Sequence, residues 1–345
     1  MKIAPVMREL AAHPGLEQAL LHTGQHYDEA MSKVFFEELD LPQPEINLSV
    51  GSASHAVQTA TIMMKFEPVL LERKPDWILV PGDVNSTLAC ALVAAKLGVK
   101  VAHLEAGLRS RDRTMPEEIN RILTDQLSDL LLTPSGDADE NLRAEGIPAD
   151  KIHCVGNVMI DTLVRLLPKA RARWETLRQR HQLHRFILLT LHRPSNVDDP
   201  ARLRTLLNLV EVISRECPVL FPIHPRTRAR LADTPLPDTI QLTEPLGYLD
   251  FLALQEKAQL VITDSGGIQE ETTYLGTPCL TLRANTERPI TLTEGTNQLI
   301  ADPETMLIDA ARQTLAAGRP TPPHCPALWD GQASRRIREV FARLC

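Results

Sequence analysis

Short apolar runs alternate along this chain with longer segments whose apolar residues recur every three or four positions. One example runs from "DWILVPGD" through "VNSTLACALVAAKLG" to "VKVAHLEAG", and a second runs from "FILLTLHRP" through "ARLRTLLNLVEVISREC" to "PVLFPIHP". Strands that alternate with helices in this way are typical of parallel sheets covered by helices on both faces. The pattern therefore predicts an α/β fold.

The alternation occurs in two blocks, which predicts two doubly wound, Rossmann-like domains facing each other across a cleft. We place the first domain at residues 1–160 and the second at residues 161–329. Between the blocks, the charged segment "DTLVRLLPKARARWETLRQRHQLHR" has the period of a connecting helix. Residues 330–345 are predicted to form an amphipathic helix that packs back on the first domain.

Composition excludes several classes of protein. The 345 residues carry a net charge of −7 without a block of Lys and Arg, which argues against a nucleic-acid partner. The longest apolar runs have the length of a strand, far short of a membrane span, and we expect no signal peptide. The 6 cysteines form no CxxC pair. We therefore expect reduced thiols and a cytoplasmic protein, with neither a disulfide framework nor a zinc site.

The stretch "TDSGGIQEETTYLGTP" is suited to bind a phosphate. Ser265, Gly266 and Gly267 lie between a predicted strand and a predicted helix, where backbone N–H groups have no partners within the helix. About one turn later, Glu271 is placed to accept the hydroxyls of a ribose, as an acid does in dinucleotide sites. A nucleoside diphosphate would use both features. A plain strand-to-helix turn is the alternative interpretation.

Polar residues also follow several apolar runs, at the strand ends where open parallel sheets bind ligands. Asp83, Glu105, His192, His224 and Asp264 all have this position, and Glu117 lies in an adjoining loop, "TMPEEINR". Acids held together acquire separated pKa values, as general acid and base catalysis requires. Each of these residues could instead be a helix cap, a solvated charge or a structural histidine. No metal-ligand spacing or GxSxG motif occurs, so a metal site and a serine hydrolase are disfavoured.

Five motifs in order, "GDVNSTLA", "HLEAGLRS", "MPEEINR", "DSGGIQEE" and "NTERP", resemble those of the non-hydrolysing UDP-N-acetylglucosamine 2-epimerases. The resemblance runs nearly the whole length of the chain. It implies the glycosyltransferase-B architecture, a homodimer and interconversion of UDP-GlcNAc and UDP-ManNAc for bacterial surface polysaccharides. The implied reaction eliminates UDP to give 2-acetamidoglucal and then adds UDP back. Neither a metal nor a nicotinamide cofactor is implied.

The resemblance also implies roles for particular residues. Four fall on the family's catalytic positions: Asp83, Glu105, Glu117 and His192. Contacts to the UDP-sugar fall on Lys2, Ser265, Gly266, Gly267, Glu271 and Arg288, with Phe251 beside the uracil and Leu246 contributing main chain there. We add His224 to the substrate-binding set because it ends an apolar run.

Two departures from the family pattern bear on function. Family members normally begin with a strand and the loop "GTRPEAIK", and this chain begins at "MKIAP", inside the end of that motif. We therefore expect the true start to lie upstream, with a damaged copy as the alternative. A second, activating UDP-GlcNAc site is partly recognisable in Gln25 and His26. Asp28 and Thr61 stand where relatives can carry Gln and Arg, so activation is not carried over.

Three other functions stay open at this point. A hydrolysing epimerase would release free ManNAc and UDP. A glycosyltransferase of the same architecture would need an acceptor pocket, and the three acids argue against one. A sugar-nucleotide-binding protein without activity would follow if the short amino terminus disables catalysis.

Overall fold

The structure is a computed structural model that describes residues 1–24, 39, 41–231, 236–320 and 324–344. The chain divides into two compact units, the first formed by Met1–Thr162 and Ala327–Cys345, the second by Leu163–Pro326. The residues Gln25, His26 and Asp28 of the predicted activating site lie outside the described residues. No helix in the described ranges is both long enough and apolar enough to cross a membrane.

The first unit contains two parallel sheets. A two-stranded sheet pairs β1 with β2, and a four-stranded sheet has the order β3-β4-β5-β6. The strands are β1 (Leu21–His22), β2 (Ile46–Asn47), β3 (Trp77–Pro81), β4 (Lys100–Leu104), β5 (Leu130–Thr133) and β6 (Ile152–Cys154). Its helices before the junction of the units are α1 (Ile3–Ala11), α2 (His55–Arg73), α3 (Asn85–Lys96), α4 (Pro116–Leu127) and α5 (Gly136–Ala144).

Helix α6 (Val158–Arg180) contains the residues at which the units join, where the sequence predicts a connecting helix. The last helix of the chain, Ala333–Phe341, packs into the first unit, and Ile337 and Phe341 share an apolar core with Val6 and Leu104. The Asp161 carboxylate accepts hydrogen bonds from the first N–H groups of that helix, at Ala333 (3.0 Å) and Ser334 (2.7 Å). The end of the chain is thereby anchored.

The second unit is built on one six-stranded parallel sheet with the order β12-β11-β10-β7-β8-β9. Its strands are β7 (Ile187–Thr190), β8 (Val219–Pro222), β9 (Ile240–Thr243), β10 (Leu260–Thr263), β11 (Cys279–Thr281) and β12 (Asn297–Leu299). The helices that follow α6 are α7 (Pro194–Val197), α8 (Pro200–Ser214), α9 (Pro225–Leu231), α10 (Tyr248–Lys257), α11 (Gly266–Leu275), α12 (Ile290–Thr293) and α13 (Pro303–Ala317), and the terminal helix Ala333–Phe341 is α14.

Strand order reverses between β7 and β10 of the second unit: later strands are added outward on each side of this pair. In doubly wound sheets such a switch point opens the crevice that binds ligands. Local signals agree with the predicted elements, since Pro200 begins α8 behind the cap Asp199, and Gly276 ends α11 at a φ of +66°. The predicted α/β class with parallel sheets in two Rossmann-like units is confirmed.

Candidate active site

Two neighbouring turns at the carboxyl edge of the first unit's sheet carry Asp83 and Glu105. Asp83 follows β3 after Gly82, and Glu105 follows β4 directly. The strands are parallel neighbours, so the turns lie side by side. The Gly82 N–H donates a hydrogen bond to the Leu104 carbonyl at 2.9 Å, which joins the two turns.

Glu105 combines a strained backbone with a paired carboxylate. Its φ of +72° lies in the left-handed region, which costs a non-glycine residue about 1–3 kcal/mol. Its side chain is buried and forms an ion pair with the Lys2 ammonium. Gly82 has a φ of +68°, which favours glycine, and a Cβ atom there would lie 2.8 Å from Lys2 Nζ and displace the amine. The structure therefore brings Lys2, Glu105 and the turn of Asp83 together.

Asp83 is held by a buried arginine that the sequence analysis did not single out. Arg121 Nη1 donates to Asp83 Oδ2 at 2.5 Å, and the Arg121 side chain is only 2% exposed. The same guanidinium donates through Nε and Nη2 to Glu118 Oε2, at 3.0 and 2.6 Å. Glu118 also accepts from the N–H groups of Ser110 and Arg111, each at 2.9 Å. Asp83 is thus attached to a rigid polar core.

The two adjacent glutamates of "MPEEINR" differ in position. Glu118 is 1% exposed, whereas Glu117 is exposed on the first turn of α4. Burial would raise the pKa of Glu118, but hydrogen bonds from Ser110 and Arg121 outweigh that effect and lower it below its ordinary value. Glu118 is therefore an ionised structural group, and Glu117 is the glutamate accessible to a ligand.

In the second unit, His192 and Asp264 meet at the switch point. His192 follows β7, Asp264 follows β10, and His192 Nδ1 lies 2.9 Å from Asp264 Oδ1. Asp264 also accepts from the His192 N–H (3.1 Å) and the Arg193 N–H (3.0 Å). Since Nδ1 faces a carboxylate, it carries the hydrogen, and Nε2 is the ring atom left for a ligand.

Asp264 keeps its negative charge in this setting. Burial alone would raise its pKa, but the hydrogen bond and the charge of His192, with the Arg193 N–H and the Asn196 amide, lower it. His224, at the end of β8, is exposed, and its ring centroid lies 6.1 Å from that of His192. Two histidines and one carboxylate therefore lie at this edge of the second sheet.

The glycine turn begins directly after Asp264. Ser265 caps α11, Gly266 and Gly267 form its first turn, and all three are partly accessible. Arg288 packs against this turn: a Cβ atom on Gly266 would lie 2.8 Å from Arg288 Nη1 and 2.7 Å from Glu287 Oε1. The Ser265 N–H donates to Thr263 Oγ1 at 3.0 Å. The helix start therefore offers an anion the N–H groups of the glycines, which have no partner within the helix, beside a nearby guanidinium.

The Arg288 charge is partly balanced within the protein. Arg288 Nε pairs with Glu270 at 2.8 Å and Nη1 pairs with Glu287, which in turn pairs with Arg283 at 2.7 Å. Burial opposes ionisation of Glu287, but the two arginines hold its pKa far below its ordinary value. The Glu270 carboxylate is therefore paired with Arg288, so its neighbour Glu271 is the glutamate of "IQEE" assigned to the ribose.

Glu271 lies beneath the helix that carries Phe251. It is 4% exposed, and its carboxylate accepts from the Tyr248 hydroxyl at 2.9 Å and the Gln255 amide at 2.6 Å. Burial raises the pKa of Glu271, and these two hydrogen bonds oppose the rise. Phe251 on α10 and Leu246 just before α10 are half-buried. One small region of the second unit thus holds three predicted UDP contacts.

The residues that sequence reasoning missed are partners of the predicted ones: Arg121 and Glu118 for Asp83, and Tyr248 and Gln255 for Glu271. Asp264, the partner of His192, is among the residues predicted at a strand end. Only Arg121 carried a usable signal, because its spacing of three from Glu118 places both on one helix face. Within the described parts of the chain, no group of three or more His, Cys, Asp or Glu side chains could hold a metal ion.

Comparison with known proteins gives a consistent result. The sequence profile of the UDP-N-acetylglucosamine 2-epimerase family matches residues 8–342. A Methanococcus maripaludis protein named UDP-N-acetylglucosamine 2-epimerase is 46% identical over 319 residues, which cover 89% of this chain and 86% of that protein. A Pseudomonas aeruginosa protein named UDP-2,3-diacetamido-2,3-dideoxy-D-glucuronate 2-epimerase is 42% identical over 347 residues, which cover 100% of this chain and 96% of that protein.

A solved structure is similar over the same length. The Methanocaldococcus jannaschii UDP-GlcNAc 2-epimerase, crystallised in complex with UDP-GlcNAc and UDP, matches with a TM-score of 0.90 at 42% identity. The match covers 99% of this chain and 96% of that one. This likeness confirms the predicted fold class, two Rossmann-like domains of the glycosyltransferase-B type.

Proposed function

Because the chain belongs to the UDP-N-acetylglucosamine 2-epimerase family, we propose that it interconverts UDP-GlcNAc and UDP-ManNAc. The observation that carries the proposal is the turn Ser265–Gly267, which presents backbone N–H groups beside His192 and Asp264 at the switch point of the second sheet. Such a turn suits the diphosphate of a sugar nucleotide.

The second unit supplies the nucleotide contacts in this proposal. The diphosphate binds at Ser265, Gly266 and Gly267, with Arg288 beside the turn. Glu271 accepts the ribose hydroxyls, and hydrogen bonds from Tyr248 and Gln255 fix the direction of its carboxylate. Phe251 lies beside the uracil, and the main chain at Leu246 contacts its edge. His224 contributes a further donor at the end of β8.

The reaction moves one proton and one diphosphate. A carboxylate takes the proton from carbon 2 of the sugar, the electron pair forms the double bond between carbons 1 and 2, and the bond from carbon 1 to the diphosphate oxygen breaks. UDP and 2-acetamidoglucal result. In the return step the diphosphate oxygen bonds to carbon 1 again, and carbon 2 takes a proton on its other face.

Proton handling falls to the carboxylates of the first unit, with His192 from the second. Removal and return of a proton on opposite faces need more than one such group. Asp83 is held by Arg121, Glu105 is paired with Lys2, and Glu117 is exposed at the start of α4. His192 offers Nε2, since Nδ1 donates to Asp264, and supports the charge on the departing diphosphate.

We assign the non-hydrolysing form of the reaction, in which the enzyme keeps the glucal until UDP returns. A hydrolysing epimerase would lose UDP and free ManNAc to solution, and product analysis separates the two. The Pseudomonas relative is named for a diacetamido uronate, so UDP-2,3-diacetamido-2,3-dideoxy-D-glucuronate is the second substrate to assay.

Proton NMR of UDP-GlcNAc incubated with the protein in D2O tests the proposal. We expect UDP-ManNAc to form with deuterium at carbon 2, because the proton removed exchanges with solvent before it is returned. Free ManNAc with stoichiometric UDP would establish the hydrolysing reaction instead. No change with either sugar nucleotide, in a sample that binds UDP, would leave a nucleotide-binding protein without epimerase activity.

We further propose a cytoplasmic homodimer. Helix α2 exposes Val57, Met64 and Leu71, which are spaced by seven residues and therefore share one helix face. Helix α4 exposes Ile119 and Leu123 while burying polar residues, an arrangement that a second copy would cover. Free thiols at Cys90 and Cys279, among others, suit a reducing compartment. Light scattering of the wild type and of Met64→Glu measures their oligomeric states. A monomeric wild type would contradict the proposed homodimer.

A further inference from the structure

We propose that His103 is a positioning residue of the first unit: together with Asp125 it fixes the two turns that carry Asp83 and Glu105. The inference rests on the proposed epimerase function, in which these acids handle protons. His103 lies on β4 and Asp125 on α4, and both side chains are fully buried, so neither is placed to touch a substrate.

A chain of hydrogen bonds connects the two turns through this pair. His103 Nε2 donates to the carbonyl of Gly82, the residue before Asp83, at 2.8 Å. His103 Nδ1 donates to Asp125 Oδ1 at 2.6 Å, and Asp125 Oδ2 accepts from the Gly107 N–H at 3.2 Å. Gly107 is two residues after Glu105. One imidazole and one carboxylate therefore join the backbone of both acidic turns.

Both ring nitrogens of His103 face acceptors, a carbonyl and a carboxylate. Asp125 also pairs with Arg109 Nη1 at 2.7 Å, and Arg109 binds both oxygens of Glu145 at 2.8 and 2.6 Å. Burial would raise the pKa of Asp125, but His103 and Arg109 lower it instead. His103, Asp125, Arg109 and Glu145 thus form one polar cluster beneath the acids, and only Glu145 among them is partly exposed.

The two turns need these additional hydrogen bonds because their backbone conformations are unusual. Gly82 and Gly107 have φ angles of +68° and +81°, and Glu105 between them along the chain has +72°. A Cβ atom on Gly107 would lie 2.5 Å from the Ala138 carbonyl oxygen, so this turn is also tightly packed. If the Gly82 carbonyl and the Gly107 N–H lose their shared anchor, the carboxylates of Asp83 and Glu105 move relative to each other.

The test compares His103→Gln and Asp125→Asn with the wild-type protein in three measurements: UDP affinity by calorimetry, kcat at saturating UDP-GlcNAc, and escape of 2-acetamidoglucal by NMR. Glutamine cannot bridge both acceptors as the imidazole ring does, and Asp125→Asn changes charge without changing shape. We expect UDP affinity within about twofold of wild type, because its contacts lie mainly in the second unit. We expect kcat to fall by at least about tenfold, less than the roughly hundredfold or more expected when an acid or base group itself is lost. Escaped glucal should rise as a fraction of turnover, because proton return depends on the alignment of the acids.

Asp161→Asn is the matched control, since Asp161 is also buried in the first unit but anchors only the terminal helix. It should lower the melting temperature while leaving kcat and glucal escape near wild type. If His103→Gln does not fold, the isosteric Asp125→Asn variant carries the same expectation. An active wild type with both variants matching Asp161→Asn in kcat and escape would overturn this inference alone. A wild type that binds UDP but gives no epimerisation would overturn the proposed function, and this inference with it.

Discussion

Neighbouring glutamates on α4 should give opposite phenotypes when each is replaced by glutamine. Glu118 is 1% exposed and accepts hydrogen bonds from Ser110, Arg111 and Arg121, so Glu118→Gln puts an amide donor against groups that are themselves donors. It also removes one of the two carboxylates that balance the buried Arg121. Glu117 is exposed, and Glu117→Gln changes no buried contact of this kind.

The structure sets the size of the effect. Removing one partner of a buried ion pair costs about 3–5 kcal/mol, and we take about 3 kcal/mol because Asp83 still pairs with Arg121. For a domain of this size, about 3 kcal/mol lowers the melting temperature by roughly 6–12 °C. A surface substitution such as Glu117→Gln stays within about 0.5 kcal/mol of wild type.

The assay is calorimetric melting of both variants at several pH values, with turnover measured on the same samples. The pKa of Glu118 is lowered in the folded state, so its contribution to stability is present above the unfolded pKa and lost as pH falls through the folded one. The gap in melting temperature between Glu118→Gln and wild type should therefore close in acid. Glu117→Gln should melt like wild type and lose at least about a hundredfold in turnover.

Two results would refute this reasoning. Equal melting of Glu118→Gln and wild type at neutral pH would mean that the Arg121 network does not stabilise the fold. Near-normal turnover in Glu117→Gln would remove the exposed glutamate from the reaction. Turnover of Glu118→Gln does not show whether Glu118 itself takes part in the reaction, because Asp83 depends on the same arginine.

Three further predictions concern the remaining candidate residues. Asp83→Asn, Glu105→Gln and His192→Ala should each reduce turnover by at least about a hundredfold, and a steady-state rate near wild type would exclude the residue concerned. Glu271→Gln should weaken binding of UDP more than that of 2′-deoxy-UDP in calorimetry, because only the former offers both ribose hydroxyls; equal losses would contradict the ribose contact. Asp264→Asn should reduce turnover less than His192→Ala but measurably, because His192 loses the carboxylate that orients Nδ1; unchanged kinetics would dismiss that role.

The elements of the fold could be predicted because they follow from local patterns. Buried parallel strands are continuous apolar runs, and the helices between them have apolar residues at helical spacing. The rule that ligands bind beyond strand ends then picked out Asp83, Glu105 and His192, and the structure places each directly after a strand or its turn. The pairing of strands was less accessible: nothing local indicates that β7 lies between β8 and β10.

The burial of the candidate residues' partners could not be predicted, because a buried charge looks like a solvated one in a sequence. Arg121 and Asp125 belong to a helix that also contains Glu117, and each would be read as a surface residue. Their burial follows from packing against turns that are distant in sequence: Arg121 reaches Asp83, and Asp125 reaches His103. Such contacts across more than twenty residues appear only once the sheet has formed.

Helix α4 makes the physical reason specific, because its apolar and polar faces are reversed. Ile119 and Leu123 are 44% and 45% exposed, while the side of the helix against the sheet buries Glu118, Asn120, Arg121, Thr124 and Asp125. Successive helix positions are about 100° apart, so a face that contains Ile119 cannot also contain Arg121. A loop is predicted around Glu117, whereas the structure has a helix there, and the usual rule would turn the apolar face of such a helix inward. The inner face is polar because it contacts the acidic turns: Arg121 holds Asp83, and Asp125 holds His103. The residues of this face therefore stabilise the site rather than an apolar core.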